Sequence, residues 1–317
     1  MKKLLSSKIA SRNSIKIIFL TVIIIISTFA LMLYLQNKEL SRAVLVNQTQ
    51  ERQLVIARAG SRSIEYFFKS LKYELTLVEK SDSISSLDKE KTTKEFLVFI
   101  NRFAGTAVTD IARVDSNGTK IIGVNRVGSK SGTGDNFSDR DYFKWAKNPA
   151  NRGKVYVTEP FISRAGSNKG KLIIGLAVPL YNKNNFNGLT FVAVSAEKFA
   201  ETFVSSLITD KGSFAFLTDD QYKVIDGKSK FCESEKDQNS CWSKFISENK
   251  DALSKNQEGK IIFSSEKNYI LAFNKADLTD INLILIVGAS NGTVDPLSLS
   301  LNRNQNLWFM VIIIMTL

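Results

Sequence analysis

Long apolar runs and regular apolar periodicity divide the chain into segments of different character. Residues 17–35 contain no charge, proline or glycine. At about 1.5 Å per residue a helix of this length spans most of the ~30 Å hydrocarbon core of a bilayer. Farther along, apolar residues recur at three- and four-residue steps from Ile64 to Val78. This spacing predicts a long helix over residues 36–80, with one face packed on a core.

Short strand-like segments bounded by turn signals begin near Thr106. Ser116-Asn117-Gly118 is typical of a hairpin turn between two of them. Residues 139–148 predict a short helix with Asp139 as its N-cap, and residues 155–164 predict a strand. The following units, 81–207 and 208–306, both show a hairpin, a helical excursion and three strands.

This repeated order predicts an α+β fold: a long N-terminal helix with two tandem PAS-like antiparallel-sheet subdomains, flanked by transmembrane helices. Basic residues before the apolar run place residues 1–16 in the cytoplasm by the positive-inside rule. A cleaved signal peptide is the alternative, but its apolar core is usually about 7–15 residues and ends at small residues. We therefore expect an uncleaved anchor in the bacterial inner membrane, followed by an extracytoplasmic region.

The apolar segment at the other end, residues 307–317, is about half as long as a bilayer requires. Trp308 lies where an interfacial aromatic residue is expected. We interpret this segment as the start of a second transmembrane helix, and the sequence as the N-terminal fragment of a longer protein whose remainder returns to the cytoplasm.

Composition excludes several classes of site. The chain has no histidine, which rules out a Ser-His-Asp triad, a histidine-ligated zinc site and a phosphoacceptor histidine within it. The net charge of +12 is spread thinly and lacks a basic stripe with interleaved aromatics, so we expect no nucleic-acid partner. Asp135, Asp139 and Asp141 do not fit the EF-hand spacing, so we expect no metal site and no cofactor.

The two cysteines, Cys232 and Cys241, lie in the part predicted to be extracytoplasmic, where disulfides persist. A bond between them would close a loop of about ten residues, worth roughly 2.5–3 kcal/mol in the chain-entropy model. We expect a structural disulfide, with a redox sensor as the alternative.

A group of motifs in the first predicted unit carries a family resemblance. Asp139-Arg140-Asp141-Tyr142-Phe143 is followed by Glu159-Pro160-Phe161, by Val178-Pro179-Leu180 and by Gly188. Their order between two apolar segments resembles the double Cache sensor domain of bacterial chemoreceptors, sensor kinases and diguanylate cyclases. The resemblance covers residues 37–306 and implies a ligand site in the membrane-distal unit.

The resemblance places the family's arginine at Arg140 and its two aromatic residues at Tyr142 and Phe143. A guanidinium suits a carboxylate or phosphate, and aromatic walls enclose the apolar part of a ligand. The acid that holds an amino group in the amino-acid-sensing subgroup matches Ser195, so a carboxylate or other anion is favoured over an amino acid. The expected ligand-binding residues are Arg140, Tyr142, Phe143, Trp145, Asp139 and Ser195.

Simpler roles for these residues remain open from sequence. Arg140 could pair with Asp139, Asp141 or Glu159 on the surface, and the aromatic residues could belong to the core. The favoured function is ligand sensing in a homodimeric receptor, with no enzymatic activity in this chain. An anchored extracytoplasmic enzyme and a structural or adhesion module are the alternatives.

Overall fold

A computed structural model gives the fold of the chain. The structure describes residues 2–86, 88–126, 133–208, 212–226, 231–232, 238–265 and 268–290. The chain divides into two compact units: the described residues of one are 2–49, and those of the other fall within 50–291. The predicted second membrane segment, 307–317, lies outside the described residues.

The first helix, α1, runs from Lys2 to Glu79. Its window of highest hydropathy has a mean of 2.6 and is not buried in the protein. This is the one helix among the described residues that is long and apolar enough to cross a membrane. Large apolar side chains such as Ile18, Phe19 and Phe29 are more than 60% exposed, as lipid-facing residues would be.

Two helices and a hairpin follow α1. In chain order they are α2 (Asp82–Ser85), α3 (Lys89–Arg102), β1 (Val108–Val114) and β2 (Lys120–Asn125). Asp88 caps α3 by accepting a hydrogen bond from the backbone N–H of Lys91 at 3.1 Å. No element was predicted between residue 80 and Thr106, because the apolar residues of α3 form one unbroken run, 96–100, and its neighbour α2 is a single turn.

The remaining strands of the first sheet follow, with one helix before them and one after them. The elements are α4 (Asp141–Lys147), β3 (Tyr156–Val157), β4 (Phe161–Ile162), β5 (Leu172–Asn182), β6 (Asn185–Ser195) and α5 (Ala196–Phe203). The strand order is β2-β1-β6-β5-β3, with β4 also paired to β5, and every pairing is antiparallel.

The second sheet follows the same plan with a longer helix. Its elements are β7 (Ser213–Asp219), β8 (Val224–Asp226), α6 (Gln238–Lys255), β9 (Glu258–Ser264), β10 (Asn268–Asp277) and β11 (Asn282–Ser290). The order is β8-β7-β11-β10-β9, again antiparallel. The predicted α+β fold, a long helix followed by two antiparallel sheets, is confirmed.

The apolar face of α1 lies in the core of residues 50–291. Phe68, Leu71 and Leu75 are at most 1% exposed and share one apolar cluster with both sheets, including Val192 of β6 and Leu285 of β11. Gly60 permits this close approach, because a Cβ atom there would lie 2.4 Å from the side chain of Leu285. One helix face therefore supports two sheets.

Arg113 of β1 is fully buried and ties α2 to the first sheet. Its guanidinium donates hydrogen bonds to the carbonyls of Ile84 at 3.3 Å and Asn187 at 2.6 Å, and also to that of Val114. Burial lowers the pKa of Arg113 to about 10, so the group stays charged at neutral pH. The backbone carbonyls replace the water that this cation would otherwise bind.

Two local predictions were wrong in detail. The N-cap position of α4 is Arg140, not Asp139, whose carboxylate binds Arg164 instead. Residues 155–164 form two short strands, β3 and β4, rather than one continuous strand. Pro160 lies between them, and because proline has no backbone N–H it cannot continue the ladder to β5.

A disulfide joins Cys232 to Cys241 beside the second sheet, with a Cα–Cα distance of 6.0 Å. Both cysteines are about 3% exposed and lie in an aromatic cluster with Phe231 and Phe245. Cys241 belongs to α6, whereas Cys232 precedes it. The bond therefore fixes Cys232 against the helix that covers the second sheet.

We expect Leu71→Ala to lower the free energy of unfolding by about 2–5 kcal/mol, because it opens a cavity where α1 meets both sheets. Denaturant unfolding of the purified chain measures this. Tyr73→Ala is the matched control, since Tyr73 is 65% exposed on the same helix and should change stability by no more than about 0.5 kcal/mol. Equal losses in the two variants would contradict the shared core.

Candidate ligand site

The first sheet has two different faces. Ile174, Leu176 and Val178 of β5 point into the core with α1, whereas Ala177 belongs to a separate cluster with α4. Side chains alternate between the faces of a strand, so each strand serves both clusters. The face toward α4 is rich in aromatic residues and contains the candidate site.

A cavity, here called the sheet cavity, lies on that second face. Its volume is about 40 Å³, and strands β1, β5 and β6 line it together with the segments before α4 and after β4. Since one water needs roughly 10–15 Å³, the cavity has room for only a few waters. Its charged lining residues are Asp110, Lys120, Arg140 and Arg164.

A larger cavity of about 260 Å³, the edge cavity, adjoins the short strands β3 and β4. Tyr156, Thr158 and Glu159 contribute to its wall. Arg140, Tyr142 and Phe161 line both cavities. These three side chains therefore separate a small space on the sheet from a larger one at its edge.

Arg140 is placed at the boundary between the cavities. Its guanidinium carbon lies 5.2 Å from the ring centroid of Phe161, within the range of a cation–π contact. Its Nε is buried and has no hydrogen-bond partner within the described part of the chain. No ion pair between described residues includes Arg140: Asp139 binds Arg164, and Asp141 lies 3.6 Å from Lys144. A donor in this state favours an incoming acceptor.

Tyr142 lines both cavities, whereas the other two predicted aromatic residues pack against neighbouring rings. The Tyr142 ring packs 4.6 Å from Phe191, and burial raises the pKa of Tyr142, so the phenol is neutral at physiological pH. Phe143 packs edge-on against Phe186 at 5.6 Å, and Trp145 stacks on Tyr156 at 5.0 Å. Neither Phe143 nor Trp145 is among the described lining residues of the two cavities.

A glycine makes room for the aromatic wall. At Gly175 a Cβ atom would lie 2.5 Å from the ring of Phe191 and 3.2 Å from Thr158. The backbone of Gly175 also exchanges hydrogen bonds with Thr158, donating to its Oγ1 at 2.8 Å and accepting from its N–H at 2.9 Å. The edge cavity is thereby anchored to the central strand β5.

Asp139 forms a two-point contact with Arg164 at the rim of the sheet cavity. The Arg164 nitrogens donate to its two carboxylate oxygens at 2.8 and 2.5 Å. The guanidinium also lies 5.2 Å from the ring centroid of Phe137. Hydrogen bonding to Arg164 is the main reason that the pKa of Asp139 falls to about 2. Arg164 is thus neutralised by a partner, whereas Arg140 is not.

Ser195 caps a helix rather than lining the sheet cavity. Strand β6 ends at Ser195 and α5 begins at Ala196, and the Ser195 hydroxyl accepts a hydrogen bond from the Lys198 N–H at 3.4 Å. The residues of this strand that line the cavity are Phe191 and Ala193. The acidic residue of the cavity is Asp110, on the neighbouring strand, opposite Ala193.

Three residues that line the sheet cavity were not predicted from the sequence: Asp110, Lys120 and Phe191. A signal for the first was present: Asp110 interrupts Val108–Val114, a strand whose residues are all buried. A buried acid needs a partner. Phe191 carried no such signal, because an aromatic residue in a buried strand is ordinary core.

The fold and site can be compared with known proteins. The family model described as Cache domain matches residues 39–301. The chain belongs to the Cache family. The resemblance to the double Cache domain is confirmed, while the unit boundaries given in the sequence analysis remain predictions. No curated protein matches this Cache chain in sequence.

Several solved structures share the Cache fold at low identity. The extracellular domain of a protein assigned as histidine kinase vpHK1S-Z8 aligns with a TM-score of 0.62 and 15% identity, covering 80% of this chain and 97% of that one. A domain of a sensory box/GGDEF family protein from Vibrio parahaemolyticus aligns at 0.61 and 14%, covering 79% and 99%.

A third structure was solved with a ligand. It is the ligand-binding domain of the Campylobacter jejuni chemoreceptor Tlp3 in complex with L-norvaline, with a TM-score of 0.58 and 12% identity, covering 79% of this chain and 94% of that one. At these identities the likeness establishes the shared sensory-domain fold.

We expect Arg164→Gln to raise the pKa of Asp139 from about 2 toward the ordinary value of about 3.9, because the carboxylate loses its main hydrogen-bond donor. In the wild type the contact is complete above about pH 4 and is lost as pH falls through the depressed pKa. Carboxyl NMR titration measures the change. Lys169→Gln is the control: it removes an exposed charge outside this contact and should leave the pKa of Asp139 unchanged.

Proposed function

We propose that this Cache chain is the extracytoplasmic ligand-sensing region of a bacterial transmembrane receptor. In this proposal the apolar part of α1 anchors it in the inner membrane and residues 307–317 begin a second membrane helix. The first sheet binds a small anionic molecule, most simply a carboxylate, and the receptor acts as a homodimer. The family, the fold and the exposed apolar helix support this role, which requires no catalytic group in the chain.

The observation that carries the ligand proposal is the state of Arg140. It lines both cavities, it is in no ion pair between described residues, and its Nε is buried without a hydrogen-bond partner. A carboxylate or phosphate would accept two parallel hydrogen bonds from the guanidinium. The ligand would thus complete a polar group that the described fold leaves unsatisfied.

The cavity volumes indicate how binding proceeds. The sheet cavity is too small for an organic acid of several carbon atoms, and the adjoining edge cavity is larger. Moving Arg140 off the Phe161 ring would join the two spaces. Such a movement costs a modest cation–π contact, which a charge-assisted hydrogen bond to the ligand would replace. The complex of Tlp3 with L-norvaline shows that this fold can hold a small carboxylate-bearing molecule.

A polar contact connects the site to the second sheet and to α1. The backbone N–H of Val157 in β3 donates to Asp280 Oδ2 at 2.9 Å, and Asp280 lies in the turn between β10 and β11. Lys72 of α1 lies 3.7 Å from Asp280 and donates to the carbonyl of Leu278 at 2.6 Å. Partial burial lowers the pKa of Lys72, although Asp280 acts in the opposite direction.

Asp280 therefore links a strand of the ligand site to the long helix. Tyr156 and Thr158, the neighbours of Val157, both line the edge cavity. A ligand that displaces β3 would change the Asp280 contact and so favour one packing of α1 against the sheets. The ligand can shift this balance only by the difference between its affinities for the two packings.

We expect Arg140→Gln to abolish binding of the cognate anion, or to weaken it at least about a hundredfold, because a charged hydrogen bond and its bidentate geometry are lost. Thermal-shift screening of the purified chain with organic acids identifies a ligand, and calorimetry gives the affinities. Arg152→Gln is the matched control, since Arg152 is exposed in the segment between α4 and β3 and contacts the Tyr181 ring away from the cavities. Undiminished binding by Arg140→Gln would refute the site.

We expect Asp280→Ala to raise the hydrogen-exchange rate of the Val157 amide about tenfold, since a buried N–H loses a charged acceptor. Hydrogen-exchange mass spectrometry on the β3 peptide measures this. In the same variant, ligand-induced changes in α1 exchange should fall while affinity changes little. Asp220→Ala, in the exposed turn between β7 and β8, is the control. Unchanged coupling in Asp280→Ala would exclude this contact as the route.

A further inference from the structure

A buried ion pair forms part of the sheet cavity. Lys120 Nζ lies 3.4 Å from Asp110 Oδ1, and the two side chains are 5% and 8% exposed. Both residues line the same cavity as Arg140. Neither was identified from the sequence, and the pair is separate from the Asp139–Arg164 contact at the rim.

A β-bulge places Lys120 on this face of the sheet. Arg113 of β1 pairs with Ile122 of β2, but the next residue, Val114, pairs with Lys120, so one residue of β2 has no partner. Residues paired directly opposite each other project to the same face. Because Val114 lines the cavity, Lys120 does so too, whereas Ile122 packs in the core with α1. Without the bulge, Lys120 would project to the same face as Ile122, because side chains two residues apart on a strand share a face.

We propose that the ammonium group of Lys120 occupies the position beside Asp110 that the amino group of an amino acid would need. The site is thereby selective for carboxylates that lack an α-amino group. This inference rests on the proposed function, since it assumes that Arg140 holds the ligand carboxylate. Lys120 is a specificity-determining residue in this account.

The argument is one of charge balance in a confined space. A carboxylate without an amine neutralises Arg140 and leaves the pair of Asp110 and Lys120 intact. An amino acid brings an additional ammonium beside an acid that is already bound to Lys120. To bind, it would have to displace Lys120 and leave a buried cation without that acid, which is strongly unfavourable. The same skeleton with a hydroxyl in place of the amine avoids this cost.

The test compares matched pairs of ligands on the full chain. The probes are lactate with alanine, 2-hydroxyisovalerate with valine, and 2-hydroxyglutarate with glutamate, each titrated by calorimetry. We expect the wild type to prefer the hydroxy acid of a pair at least about tenfold. Lys120→Met removes the ammonium and keeps the apolar stem, so it should shift the preference toward the amino acid by at least about tenfold. Lys120→Arg keeps the charge and should retain the wild-type preference.

A second variant guards against misfolding of Lys120→Met, which leaves Asp110 without its lysine. The double variant Asp110→Asn with Lys120→Met removes both charges. It should bind the hydroxy acids and gain no affinity for the amino acids, because the acid beside Lys120 in the sheet cavity has been removed. Gain of amino-acid binding in this double variant would overturn the proposal.

The outcomes separate this inference from the proposed function. A wild type that binds amino acids more tightly than hydroxy acids, through Arg140, overturns the role of Lys120 and leaves the sensing site standing. A wild type that binds neither class, with Lys120→Met gaining amino acids, supports the role of Lys120 and refutes the anionic ligand. If the wild type and every variant bind neither class, both proposals fail.

Discussion

The fold depends on a single apolar helix face that is covered by two sheets. Phe68, Leu71 and Leu75 of α1 share one cluster with strands of both sheets, and Gly60 lets the second sheet approach closely. Helices α3 and α5 contribute to the same cluster, whereas α4 and α6 pack in separate clusters. A change in how one sheet packs on α1 therefore alters the surface available to the other. Tight packing makes such a core respond in discrete rearrangements rather than by gradual deformation.

The candidate ligand site is built on the opposite face of the same strands. Alternate residues of strand β5 pack in the α1 core and in the cluster on the cavity side. A displacement of this strand therefore changes the packing on both faces of the sheet. The short strands β3 and β4 form part of this wall, and Pro160 lies between them. Asp280 reaches the same strand from the second sheet. The candidate site is thus connected by direct contacts to the second sheet and to α1.

Charge placement divides the site into satisfied and unsatisfied parts. Arg164 is bound by Asp139, and Lys120 by Asp110. Arg140 has a cation–π contact and a buried Nε without a partner among the described residues. Buried polar groups normally have partners, and this exception is the basis of the proposed ligand contact. The proposed selectivity against an α-amino group rests on the pair of Lys120 and Asp110.

The sequence alone determined the fold class, the long helix and the apolar membrane candidate, and it predicted Arg140 and Tyr142 as site residues. These follow from periodicity, run length and local motifs, which are properties of neighbouring residues. It did not determine that Asp139 binds Arg164 or that Ser195 caps α5. It also gave no indication that a bulge turns Lys120 toward Asp110. Those features depend on strand register and on where strands end, and register is decided by long-range pairing that no short stretch of sequence contains.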